Sequence, residues 1–323
     1  MTSEAARRPS RHSGNDVEDL GTDYHATDEH SAHAGDLGQV VVDGLVRLLD
    51  LEKIEQDIFR GISPKARWQR VFGGQVAGQA LVAAGRTVPR ERAVHSLHSY
   101  FIRPGDPAVP IIYDVDRVRD GRSFSTRRVV AVQHGQPIFS LSASFQLDQP
   151  GIDHQSEMPD APPPEELPTL EERYDDAPEA AAFFRAMPRP IDLRYVDDPP
   201  WQQHAKGPRD GFTRVWLRAD GRLPDDPLLH VCVLTFASDM TLLDSVLVRH
   251  GLAAGIDPLA LASLDHAMWF QRRFRADEWL LYVSESPSAS GSRGLASGRF
   301  FSRDGRQVAS VVQEGMIRVD PAG

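Results

Sequence analysis

The sequence predicts an α+β protein made of two tandem copies of one unit, each an antiparallel sheet wrapped around a central helix. Three observations predict it. The chain repeats itself: Ser96-Leu97-His98-Ser99-Tyr100-Phe101-Ile102-Arg103-Pro104 is echoed, with one residue inserted, by Ser263-Leu264-Asp265-His266-Ala267-Met268-Trp269-Phe270-Gln271-Arg272-Arg273. A second echo follows each at a similar distance, Gly121-Arg122-Ser123 through His134-Gly135-Gln136 resembling Gly291-Ser292-Arg293 through Asp304-Gly305-Arg306. A period that long is a domain duplication rather than a solenoid. Next, Val76 to Val88 reads as a helix apolar on nearly every face, which only a buried helix tolerates. Finally, the segments after it alternate: Phe139, Leu141, Ala143 and Phe145 interleave with Ser140, Ser142, Ser144 and Gln146, so one sheet face is apolar and can cover that helix.

Residues 1 to about 37 have almost no large apolar side chain and are expected to be a disordered tail. The histidines there (His12, His25, His30, His33) are read as solvated side chains, not a metal site. Leu45, Leu48, Leu49, Leu51, Ile54 and Ile58 recur near helical spacing and predict an amphipathic helix over 45–59. A short strand over Trp68 to Phe72 precedes Gly73-Gly74-Gln75 and the buried helix, in which Gly78 permits a close approach of another backbone. Strands at about 93–104, 108–119, 122–133 and 136–147 are separated by the turn signals Pro104-Gly105-Asp106, Asp120-Gly121 and His134-Gly135. The prolines at 150, 159 and 162–164 and the acidic cluster from Glu171 to Asp176 mark a linker. The second copy then reads as strands at 192–196 and 213–217, one helix over 228–249 and four more strands to Arg318. The expected organisation is a tail over 1–37, a first domain over 38–148, a linker over 149–188 and a second domain over 189–320.

At 323 residues with 41% apolar side chains, the chain is long enough for two domains of ordinary size. A formal charge of -10 and the lack of a Lys/Arg-rich block argue against nucleic-acid binding. No run approaches the roughly 20 apolar residues of a membrane span, and the N-terminus shows no signal pattern. Cys232 is the single cysteine, so neither an intrachain disulfide nor a thiolate metal cluster can form. A cytoplasmic protein with no metal or cofactor is expected.

The sequence has no G-x-S-x-G elbow, Walker loop, G-x-G-x-x-G or H-E-x-x-H. Comparing the copies is more informative, because a polar residue in one copy where the other is apolar or small is not there for folding. Aligning Gly135 with Gly305 sets Gln313 opposite Ala143, on an inward face where a buried amide needs partners. Asp239 lies beside the apolar stripe of the second helix, where burial would be costly without hydrogen bonds. Ser263 starts the strand equivalent to the one near Ser96, and its hydroxyl could meet both. His98 and His266, present in both copies, are read as sharing a structural job and are left out of the catalytic set.

Arg70-Val71-Phe72-Gly73-Gly74-Gln75-Val76-Ala77-Gly78-Gln79-Ala80-Leu81, the run His98 to Asp106, Gly121 to Val129, Phe236-Ala237-Ser238-Asp239, Leu264 to Phe270 and Val312-Gln313-Glu314-Gly315 occur in an order that resembles the acyl-CoA thioesterase II family. The resemblance covers residue 40 or so to the end. It implies a double hotdog that hydrolyses fatty acyl-CoA with an Asp, a Thr and a Gln holding the attacking water. By motif the Asp falls on Asp239 and the Gln on Gln313; the Thr position holds Ser263, which keeps the hydroxyl and loses the stiffening β-methyl.

Hydrolysis without a covalent intermediate would use Asp239 as general base, with Ser263 and Gln313 orienting the water. Gly73 and Gly74, at a helix N-terminus, are candidate N–H donors for the thioester oxyanion, and Arg293 is a candidate for the phosphates of CoA. Two rivals stand beside this. Asp226-Pro227-Leu228-Leu229-His230 distantly resembles the motif of a hotdog enoyl-CoA hydratase, and the Ser263 departure leaves room for a non-catalytic acyl-CoA binding protein. Two copies in one chain already make the pairing a single-copy protein makes from two subunits; a homodimer or homotetramer is the expected assembly.

Overall fold

The computed structural model describes residues 34–64, 70–175 and 189–319. The chain begins with α1 (Ala34–Leu49), the hairpin β1 (Glu52–Glu55) and β2 (Ile58–Gly61), and the central helix α2 (Gly73–Gly85). Then follow β3 (Arg92–Phe101), β4 (Ile111–Asp120), β5 (Phe124–Gln133) and β6 (Gln136–Leu147), and a connecting segment with α3 (Leu170–Asp175). The second half comprises β7 (Ile191–Tyr195), α4 (Pro200–His204), β8 (Phe212–Ala219), α5 (Pro227–Ser238), α6 (Asp244–His250), β9 (Leu259–Ser263), β10 (Asp265–Phe270), β11 (Leu280–Ser290), β12 (Arg293–Ser302) and β13 (Gln307–Val319).

All thirteen described strands belong to one antiparallel sheet, in the order β1-β2-β4-β5-β6-β3-β10-β13-β12-β11-β8-β7, with β9 also on β13. The halves join edge to edge where β3 meets β10, Leu97 lying opposite Met268 and Ser99 opposite His266. Each half curls its apolar face around a helix. α2 is buried from Gly74 to Ala84: alanine, valine, leucine and glycine make up most of it, and its two polar side chains, Gln75 and Gln79, are buried on hydrogen-bond partners that include the Ser63 hydroxyl, the Leu48 carbonyl and the Tyr113 hydroxyl. It packs directly on α5 in antiparallel sense: a Cβ on Gly74 would lie 2.3 Å from the Phe236 carbonyl, and one on Gly78 3.2 Å from that of Cys232. Only glycine permits the first approach. The N-terminus of α2 is therefore delivered to the C-terminal end of α5, which Asp239 follows directly.

Several expectations change. The periodic run 45–59 is helical only to Leu49; beyond it the chain reverses through Asp57, whose φ of 61° an aspartate tolerates, into the β1–β2 hairpin. The pairing of β2 with β4 fixes this, and the four-residue spacing of Ile54 and Ile58 imitated a helix. The tail expected to run to about 37 lies outside the described residues only as far as 33. Helix α1 starts at Ala34, tied to the second half by Gln39, whose amide donates to the Arg222 carbonyl and accepts from its N–H. Within the expected strand over 68–72, residues 68 and 69 lie outside the described residues and 70–72 form no strand.

The single helix expected over 228–249 is two. α5 ends at Ser238 and α6 begins at Asp244, with turns between. Ser238 donates its hydroxyl to the Thr235 carbonyl at 2.9 Å, and the sequence Ser238-Asp239-Met240-Thr241 is rich in side chains that compete with the helix for backbone groups. The first strand after it is likewise split at Leu264, giving five segments rather than four. The described part of the linker packs on the back of the second half. There Trp216 donates to the Pro162 carbonyl at 2.9 Å, and Met158, Ala161 and Leu167 cover a small core of Trp216, Trp279, Leu281, Val283 and Phe301.

Candidate active site

The breaks after Ser238 and at Leu264 build the site. The first turns the chain out of α5, so that Asp239 looks back at the N-terminus of α2; the second frees Ser263 at the end of β9, opposite Gly315 of β13. Ser263 donates its hydroxyl to Asp239 Oδ1 at 2.8 Å, and the Gln313 amide donates to Ser263 Oγ at 2.9 Å. Gln313 is fully buried on the inner face and Asp239 is partly exposed. The structure thus brings Asp239, Ser263 and Gln313 into one hydrogen-bonded group.

Burial pushes the Asp239 carboxyl above its ordinary value. Hydrogen bonds from Ser263 and Gln313 and the Gly74 backbone N–H, and the charge of His266 whenever that ring is protonated, pull the other way without cancelling it. A carboxylate held like this is a stronger base than one in water and is still anchored in one orientation. Gly74 therefore directs its N–H at the carboxylate rather than standing free for an oxyanion. Gly73 lines the other carboxylate oxygen: a Cβ there would be 2.6 Å from Asp239 Oδ2 and 2.8 Å from the Phe101 ring. The first half contributes Gly73, Gly74 and Phe101 to a group whose polar side chains all come from the second.

Arg293 is not part of this group. It sits on the opposite sheet face from Gln313, exposed, with its Nε 2.9 Å from the carboxylate of Glu314. Strand alternation explains it, since Gly294 and Ala296 take the inward positions. The Asp226 and His230 of the hydratase-like run are both occupied structurally. Asp226 caps α5 by accepting from the Leu228 N–H at 3.0 Å, and His230 Nδ1 accepts from the Ala276 N–H at 3.0 Å.

The two histidines of the repeat are not equivalent. Arg103 and Arg272 each donate to the carbonyl of the matching residue, Pro137 and Gln307, and the N–H groups of Ile102 and Gln271 bond Ile138 and Val308. Counting back along the strands without an insertion pairs His266 with Leu97, not His98. His98 is exposed, edge-on to Trp269 at 5.2 Å. His266 is buried against Gln313 Oε1 through Nδ1 and against Ser238 Oγ, 2.8 Å away, through Nε2. Sequence comparison missed it because the inserted residue in the alignment matched the histidines by type; the ungapped match of Tyr100-Phe101 to Trp269-Phe270 carried the signal.

Comparison with known proteins follows the same division of the chain. The family model described as acyl-CoA thioesterase matches residues 188–316, and that described as acyl-CoA thioesterase N-terminal domain matches residues 64–146. Acyl-coenzyme A thioesterase 8 of Homo sapiens is 44% identical over 303 residues, covering 89% of this chain and 92% of its own. Acyl-CoA thioesterase 2 of Haemophilus influenzae is 36% identical over 286 residues, covering 86% and 98%. The crystal structure of the acyl-CoA thioesterase II TesB2 from Mycobacterium marinum superposes with a TM-score of 0.71 at 47% identity, covering 86% of this chain and all of that one. With both halves matched by the family and relatives aligned over most of its length, the chain belongs to the acyl-CoA thioesterases, as a double-hotdog thioester hydrolase.

Proposed function

We propose that this thioester hydrolase cleaves fatty acyl-CoA to fatty acid and free CoA through a water molecule held by Asp239, Ser263 and Gln313, with no covalent intermediate. The observation that carries the reading is the Asp239–Ser263–Gln313 hydrogen-bonded group at the N-terminus of α2. Ser263 occupies Asp239 Oδ1, which leaves Oδ2, beside Gly73, to take the proton of an attacking water. The raised affinity of this carboxyl for protons favours that step. The Gln313 amide and the Ser263 hydroxyl are pre-ordered, so the water loses its freedom before the reaction rather than during it. Water adds to the thioester carbon, its proton passes to Asp239, and collapse of the tetrahedral species expels the CoA thiolate.

A nucleophilic role for Ser263 is less well supported, because its hydroxyl donates to a carboxylate and the nearby imidazole of His266 bonds Gln313 and Ser238 instead. The hydratase reading loses its motif to the capping and backbone bonds of Asp226 and His230. One buried, unpaired cysteine, Cys232, is compatible with work in the reducing cytoplasm.

The test is release of free thiol from acyl-CoAs of short to long chain, wild type beside Asp239→Asn. Turnover that falls about 10²–10⁴-fold in a folded Asp239→Asn protein supports the reading. Retained turnover in that variant overturns the role of Asp239, and saturable binding of acyl-CoA by the wild type without thiol release overturns the catalytic reading.

A further inference from the structure

We infer that His266 is a positioning residue for this hydrolysis: its ring decides which way round the Gln313 amide points, and through the amide it sets the order of protons at Asp239. The inference rests on the proposed role of the Asp239 group.

Five side chains form an unbroken line of hydrogen bonds, Ser238 to His266 to Gln313 to Ser263 to Asp239. Each link has a direction that follows from its neighbour. Gln313 Oε1 can only accept, so His266 Nδ1 carries the hydrogen. Burial favours the neutral imidazole, so Nε2 is left as an acceptor facing the Ser238 hydroxyl 2.8 Å away, whose one hydrogen it shares with the Thr235 carbonyl. With its oxygen held by His266, the Gln313 amide turns its NH2 toward Ser263 and the Asp239 carboxylate. Ser263 has then accepted one hydrogen bond and spends its own hydrogen on Asp239 Oδ1.

The opposite amide rotamer would point a carbonyl oxygen at the carboxylate, remove a donor from it and leave Ser263 with two acceptors for one hydrogen. Gln313 Oε1 has no other hydrogen-bond partner among the described residues, so His266 alone selects between the two arrangements.

The first half of the molecule separates this role from folding. Leu97 and Ala143 lie directly opposite each other on β3 and β6, both buried, at the positions corresponding to His266 and Gln313. The same cross-strand site is thus filled by Leu and Ala where no chemistry is placed, and by His and Gln where it is. A purely structural requirement at this point of the fold is met by an apolar pair.

The experiment measures kcat and KM for acyl-CoA thiol release in His266→Leu, His266→Asn, His266→Gln and Asp239→Asn, each checked for folding by circular dichroism and thermal melting. The side-chain amide nitrogen of asparagine lies near the place of Nδ1 and can still donate to Gln313; that of glutamine lies nearer Nε2 and cannot. We expect kcat to drop roughly 10- to 100-fold in His266→Leu and His266→Gln, with KM within about 2-fold, and most of the loss to be restored in His266→Asn. Wild-type kcat in His266→Leu, equal impairment of the Asn and Gln variants, or a loss confined to KM would each overturn the positioning role. Should His266→Leu not fold, the difference between the Asn and Gln variants decides. An active Asp239→Asn protein marks failure of the underlying reading, whereas an inactive one beside an unimpaired His266→Leu marks failure of this inference alone.

Discussion

Adding one methyl group at Gly73 should abolish most of the activity while leaving the fold in place. The ideal Cβ falls 2.6 Å from Asp239 Oδ2 and 2.8 Å from Cε1 of Phe101, where ordinary contacts begin near 3.4 Å, so the carboxylate must retreat by about 0.8 Å. Displacements of about 1 Å in a catalytic group cost on the order of 100-fold in rate, which is the fall in kcat expected for Gly73→Ala. Gly78→Ala is the control, in the same helix. Its Cβ meets Cys232 O and Leu49 at 3.2 Å, contacts that small shifts relieve, and alanine is the better helix former by about 1 kcal/mol. Thiol release by both variants at saturating acyl-CoA, with far-UV circular dichroism and melting curves, makes the comparison. Full activity in a folded Gly73→Ala protein would refute the claim that the N-terminus of α2 and Asp239 together bound the reacting space.

Further outcomes follow from the same geometry. Since Asp239 must be ionised to act as base and burial raises its pKa, the acid limb of the kcat–pH profile should lie above the usual carboxylate range, activity rising as pH increases through it; a limb at or below that range contradicts the assignment. Burial also drives Asp244 up to about 7, against the pull of its 2.8 Å bond from the Tyr195 hydroxyl. Because Asp244 holds its proton more tightly folded than unfolded, stability should decline as pH rises from about 4 to about 7, and Asp244→Asn should remove that decline. The gain at pH 8 should be on the order of 2–4 kcal/mol, with little at pH 4, read from urea unfolding at both pH values. Arg293→Ala should leave KM for acyl-CoA unchanged and alter stability by less than about 1 kcal/mol, since its partner is an exposed carboxylate on the far sheet face; a several-fold rise in KM would restore it to the binding site.

Much of the architecture was legible in the chain because it depends on local pattern. The strict alternation around Phe139 to Phe145 and the turn glycine before it reproduce β6 to the residue, and the largely apolar run expected as a helix over 76–88 is α2, lying three residues nearer the N-terminus. Gln313 was legible by comparison of the halves, because Ala143 at the same inward position showed what folding alone requires there. The breaks were not legible. Residues 45–59 and 228–249 both carry helical spacing, and what interrupts them is a pairing with β4 in one case and competition by Ser238 in the other.

What the sequence by itself determined is therefore the duplication, the two helix-and-sheet units and the residue types gathered in the second one. What only the tertiary structure decided is their meeting: the antiparallel contact of α2 with α5 that brings Gly73 and Gly74 of one half to Asp239 of the other, and the register of β3 on β10 that turns His266 inward and His98 outward. Residue spacing encodes which face of an element is apolar, but not which distant backbone that face will meet. A site built at the contact between two units depends on the second kind of information, and a shift of one residue along a strand is enough to carry a side chain from the site to the opposite face.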